Sequence, residues 1–188
     1  YSSLMPVSIN GNTGVITGLT SLPDSAMASG SVIQIVSTTK TDVFSESLAS
    51  GGFSADAMSL SITPSSASNK IHIAINCFLC SSTTSRANAT IYKAGSVLTG
   101  SIGDADGNKN RTSLQVGLNN TARGNTASGT YLDTAGGTSA ITYSVRLSHG
   151  GSTSQTIYLN RVSNEANTDD YSRSASTITL MEVVAWQE

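Results

Sequence analysis

Ala140-Ile-Thr-Tyr-Ser-Val-Arg-Leu147 decides the fold. Its apolar members Ile141, Tyr143, Val145 and Leu147 alternate with Thr142, Ser144 and Arg146, and successive side chains of an extended chain point to opposite faces. The octapeptide therefore reads as a strand with one face on a core and the other in water, the pattern of an antiparallel sheet. The same period of two recurs outward in both directions. Upstream it marks Val32–Val36, Ala57–Thr63, Lys70–Leu79, Asn88–Lys93 and Ser113–Leu118; downstream it marks Gln155–Asn160 and Ser176–Val184. Ile, Val, Tyr and Thr recur in these runs, as expected of side chains that suit a pleated surface. No longer window carries a helical stripe, because Gly and Ser interrupt each candidate.

Ser50-Gly-Gly52, Gly103–Asn108, Gly136-Gly137 and Gly150-Gly151 punctuate the runs. Glycine reaches positive φ without steric cost, and Asn or Asp bonds its own backbone, so such clusters turn the chain. Many short strands with this punctuation predict an all-β antiparallel β-sandwich, jelly-roll-like, over residues 31–188. Longer polar stretches, Thr99–Arg111, Asn119–Gly129 and Arg161–Ser174, read as loops. Residues 1–30 differ. Ile9, Val15, Ile16, Leu19 and Leu22 stand isolated among Gly, Asn and Thr, too sparse to close a core within one chain. This stretch reads either as an extended connector ordered against symmetry mates or as a flexible linker.

Composition narrows the functional classes. Among 188 residues, 33 are Ser and 23 Thr, only 12% are charged, and the formal net charge is -2. Ten Lys and Arg against twelve Asp and Glu leave no basic stripe for phosphates, so no nucleic acid partner is expected. No apolar run is long enough for a helical membrane span, and no membrane insertion is expected. Cys77 and Cys80 lie three apart in a strand-period run, which directs them to opposite faces as packed thiols. His72 and His149 are the only histidines, and no Gly-x-Ser-x-Gly elbow accompanies them. The expectation is a protein without catalytic residues, metal or cofactor. Asp104-Ala-Asp-Gly-Asn108 resembles the start of a calcium loop but has Gln115 where a distal Glu would stand; turn formation accounts for the same residues.

Four segments taken together resemble a known family: Gly30-Ser-Val-Ile-Gln-Ile-Val36, Leu60-Ser-Ile-Thr-Pro-Ser-Ser-Ala-Ser-Asn-Lys-Ile71, Gly129-Thr-Tyr-Leu-Asp-Thr134 and Ser176-Thr-Ile-Thr-Leu-Met-Glu-Val183. They are similar to the C-terminal head domains of phage tail-fibre and virion spike proteins, frequent in marine phages and cyanophages. Asn12–Leu19 and Leu22-Pro-Asp24 are similar to segments that precede such heads. The resemblance implies a homotrimer on the virion surface, joined to other virion proteins through its N-terminal segment. It also implies attachment to a host-surface polysaccharide or protein, with binding and no cleavage. A capsid decoration or cement protein and a carbohydrate-binding module are the alternatives. Within the attachment reading, two loop groups offer planar hydrogen-bonding side chains for a receptor. One carries Asp104, Asp106, Asn108, Lys109, Arg111, Asn119, Asn120, Arg123 and Asn125; the other carries Arg161, Asn164, Asp169, Asp170, Tyr171 and Arg173. Tyr171 is either an exposed contact or packed on its own loop. Trp186 is expected to cover a core or interface edge.

Overall fold

A computed structural model describes residues 8–10, 15–17, 26–169 and 171–186. Two short strands, β1 (Ser8–Asn10) and β2 (Val15–Thr17), pair antiparallel; the remainder of 1–25, where the connector was placed, lies outside the described residues. The body is all-β. Its strands are β3 (Val32–Lys40), β4 (Phe44–Leu48), β5 (Asp56–Ile62), β6 (Lys70–Ser81), β7 (Arg86–Lys93), β8 (Ser96–Val97), β9 (Leu114–Gly117), β10 (Asn125–Thr134), β11 (Ile141–His149), β12 (Gln155–Leu159) and β13 (Ser176–Val183). They form two antiparallel sheets.

The first sheet is organised on β6. One edge of β6 pairs with β10 along its length, and the other is shared by β13, opposite Lys70–Asn76, and β12, opposite Leu79–Ser81. Beyond them lie β3, paired with β13, and β4, paired with β12. Thus β3 and β4 form one lane bent at residues 41–43, and β12 and β13 form one lane interrupted by residues 160–175. The second sheet runs β5, β11, β7, and then a lane shared by β8 and β9, interrupted by residues 98–113.

The alternation read from the sequence fills the space between the sheets. Ile71, Ile73, Cys77 and Leu79 of β6, Ile178 and Leu180 of β13, and Ile157 and Leu159 of β12 meet Tyr143, Val145 and Leu147 of β11 and Ala87, Ala89 and Ile91 of β7, all fully buried. Each such aliphatic side chain contributes about 1.5–3 kcal/mol when removed from water. A polar clasp joins the sheets at the β10 edge, where Asp133 accepts from the Tyr143 hydroxyl at 2.7 Å and pairs with Lys93 at 2.7 Å.

Three expectations need correction. The outward face of β11 and β7 is only partly in water: Thr142 is exposed and Arg146 half-buried, but Asn88, Thr90, Ser144 and Ser148 are buried. The 49–55 connection crosses this face, with Ser54 bonded to Leu147 through both its backbone N–H and its hydroxyl and with Phe53 set edge-on against Tyr92. Secondly, part of the stretch read as a loop, Asn125–Gly129, belongs to the ten-residue strand β10. Gly124 and Gly129 look like turn formers but are close approaches: a Cβ on Gly124 would strike the Phe78 ring, and one on Gly129 would sit 2.8 Å from Leu114 Cδ2. Thirdly, β4 was not expected. Its inward row Phe44, Glu46, Leu48 is broken by a carboxylate, and Glu46 accepts from the Ala55 N–H at 2.9 Å, tying down the connection that follows.

Candidate functional site

The two ends of the sandwich differ. At one end Gly30 and Ser31 exchange backbone hydrogen bonds with Val184, so the chain enters and leaves the sandwich at that end. The opposite, distal end gathers the connections 49–55, 82–85, 118–124 and 150–154, because β4, β6, β9 and β11 all finish there and β5, β7, β10 and β12 start there.

The two lane-interrupting loops are held by the same device. Where residues 160–175 leave, the Asn160 N–H donates to Phe78 O at 3.0 Å, and the Phe78 N–H, which has lost its ladder partner, donates to the Ser176 hydroxyl at 3.0 Å. Where residues 98–113 leave, the Leu98 N–H donates to Ile91 O at 2.9 Å, and the Ile91 N–H donates to the Ser113 hydroxyl at 3.0 Å. A serine on the returning strand thus satisfies the donor that each interruption would otherwise orphan. Asn160 strengthens its neck. At φ 64 it adopts the left-handed conformation that Asn tolerates best after glycine. Its amide donates to Lys40 O and Asp42 O across the bend in the neighbouring lane, and its Oδ1 accepts from Ser176 Oγ at 2.6 Å.

Three clefts line the distal end. One of about 580 Å³ lies between the tip Asn108–Asn110 and the turns at Ser50-Gly51 and Gly150–Ser152, and Arg86 and Gln115 also line it. A second, about 630 Å³, is bounded by Thr84, Ser85, Gly117 and Leu118 and shares Arg86 with the first. A third, about 450 Å³, is formed by Asn120, Arg123 and Asn125 and shares Asn119 with the second. Adjacent clefts share a lining residue, which gives this end a shallow grooved surface walled by amides, hydroxyls and guanidiniums.

The structure divides the predicted receptor residues. Asn108, Lys109, Asn119, Asn120, Arg123 and Asn125 line the groove. Asp106 pairs with Lys109, and Arg111 Nε donates to Gly103 O at 2.6 Å, so these residues brace the 98–113 loop; Asp104 is exposed outside the clefts. The second group forms a separate cleft of about 290 Å³ that includes Asn164, Tyr171 and Arg173. Arg161 turns onto its own loop: it stacks 4.7 Å from the Tyr158 ring, donates to Val162 O and Ser163 O, and pairs with Glu165. Arg173 also pairs with Glu165 at 3.0 Å. Tyr171 is half-buried and its hydroxyl accepts from Asn164 at 2.8 Å, so its ring packs on its own loop. Asp169 is exposed, and Asp170 lies outside the described residues. The two groups touch through the Ser163 N–H and Thr121 O at 3.1 Å.

Arg86 and Gln115 were missed. Arg86 stands alone at the start of a strand with nothing local to mark it, and only the turn of β11 into Gly150 brings a wall against its stem, 3.3 Å from where a Gly150 Cβ would be.

The histidines and cysteines are held by the fold. His149 is buried, its Nδ1 accepting from the Gly151 N–H at 3.1 Å, which leaves Nε2–H to donate to Leu48 O at 3.2 Å. His72 lies on the outward face of the first sheet with Nδ1 buried and unpartnered among the described residues. Cys77 faces the core and burial pushes its thiol up to about 12. Cys80 lies on the opposite face under residues 121–123, donating toward Thr121 O at 3.4 Å, and burial also raises its thiol. Neither cysteine is in a disulfide. No protein-family model and no curated protein matches the chain.

Proposed function

We propose that this chain is a jelly-roll head of a phage fibre or spike, assembled as a homotrimer, that attaches the virion to its host without bond chemistry. The observation that carries this reading is the polarity of the sandwich: the chain enters and leaves at one end and the amide- and hydroxyl-lined groove occupies the other. The lane order supports the jelly roll. With each divided lane counted once, the first lane pairs with the last, the last with the third and the third with the sixth; the second sheet joins the second, seventh, fourth and fifth in turn.

Self-association is supported by the bare outward face of the first sheet. Ile35, Met181, His72 and Leu132 are direct cross-strand neighbours in one row, with Ile35 60% and Leu132 53% exposed. Val32 and Trp186 extend this apolar surface toward the end where the chain enters and leaves.

The test is competition with the parent particle. Purified protein at micromolar concentration is expected to run as a trimer by native mass measurement and to block adsorption to the host. A capsid cement protein would leave adsorption unchanged, and a monomer would overturn the trimer.

A further inference from the structure

We propose that the distal groove binds an acidic polysaccharide, with Arg86 holding a carboxylate or sulfate of the sugar. This inference rests on the attachment reading and names the chemistry of its ligand. Of the cationic side chains, Lys40, Lys93, Lys109, Arg146, Arg161 and Arg173 are ion-paired. Lys70 and Arg111 donate to Thr134 and Gly103. Arg86 and Arg123 alone have neither a carboxylate nor a hydrogen-bond acceptor for their guanidiniums among the described residues. Arg86 lines the first and second clefts and Arg123 the third, while no Asp or Glu lines any of the three.

In a protein of net charge -2, two unopposed guanidiniums lining acid-free clefts favour an anion. The planar fork of Arg86 takes a carboxylate or sulfate through two parallel bonds, and the exposed side chain runs beside the Gly150 turn, where glycine leaves it room. The neutral partners suit sugar hydroxyls: Asn108, Asn110, Gln115 and Asn119 present amides along the walls. Beside Gln115, its cross-strand partner Asn88 is fully buried with Oδ1 unpartnered among the described residues. Three neighbouring clefts that share Arg86 and Asn119 suit a chain of sugars better than a single ion.

Affinity electrophoresis through gels containing polygalacturonate, dextran sulfate or neutral dextran tests this. The wild-type protein is expected to be retarded by a polyanion and not by dextran, with the uronate and sulfate gels distinguishing the two anion sources. Arg86→Gln is expected to weaken retardation at least tenfold, and Arg86→Lys, which keeps the charge and loses the fork, to recover only part of it. Arg173→Gln, on the separate loop cleft, is expected to change little. Both Arg86 variants should retain the wild-type melting temperature, since the side chain is exposed. Equal retardation by dextran, no retardation by either polyanion, or equal loss in Arg173→Gln would overturn the proposal. A protein that blocks adsorption yet ignores polyanions removes this inference and leaves the attachment role standing. Arg86-dependent polyanion binding without adsorption blocking does the reverse.

Discussion

At the scale of single residues, Asn160 combines a backbone and a side-chain requirement that few residues meet together. Its left-handed φ favours Gly or Asn, and its amide serves two carbonyls and one hydroxyl at once. Asn160→Gly keeps the backbone and removes those bonds, leaving Lys40 O, Asp42 O and Ser176 Oγ short of a partner. The expected loss is on the order of 3 kcal/mol, since each buried unmet group costs about 1–3 kcal/mol and some are re-solvated. Urea unfolding of the variant checks it, and a change below 0.5 kcal/mol, taken as roughly the scatter of neutral surface substitutions, would contradict the assignment. Nothing in the neighbourhood of Asn160 reveals this role in sequence, where it reads as the last residue of a strand.

At the scale of elements, the strands with strict alternation were legible because each carries an uninterrupted apolar row to one core. Ile71, Ile73 and Ile75 and the set Tyr143, Val145 and Leu147 are of this kind. β10 and β4 were not, since close packing asks for glycine and small polar residues in the first and a loop anchor asks for Glu46 in the second. The groove was legible only in part. Asn108, Lys109, Asn119 and Arg123 announce themselves within polar loops, whereas Arg86 acquires its setting from turns distant in sequence. The necks make a prediction at this scale. Ser176→Ala strands the Phe78 N–H and Asn160 Oδ1, and Ser113→Ala strands the Ile91 N–H. Each is expected to cost about 1–3 kcal/mol and to raise amide exchange at Phe78 or Ile91 respectively, without shifting exchange at the other neck. Mass-resolved hydrogen exchange reads both.

At the scale of the whole molecule, the titrating groups in the interior set an alkaline limit. Burial raises the Cys77 thiol from 9.0 to about 12. Burial, followed by the hydrogen bond to Asp133 and its charge, raises the Tyr143 phenol far above its ordinary value of 10.0. Both groups are held neutral in the fold and ionise first in the unfolded chain, so unfolding releases protons above those ordinary values. Stability is expected to be level up to about pH 9 and then to fall as pH rises toward 12, by up to about 1.4 kcal/mol per pH unit for each group. Urea midpoints measured across this range test the slope. Cys77→Ala should lower stability at pH 7 through its cavity and yet reduce the decline between pH 9 and 10, the remainder there belonging to Cys80, whose thiol burial also raises.

The serine-tied bases of residues 98–113 and 160–175 have an evolutionary consequence. Each insertion is knotted off before its outer letters begin, so its spelling can change while the ladder beneath keeps its hydrogen bonds, and extra length adds only the slowly growing entropy of a longer loop. The framework can therefore stay fixed while its outermost vocabulary drifts.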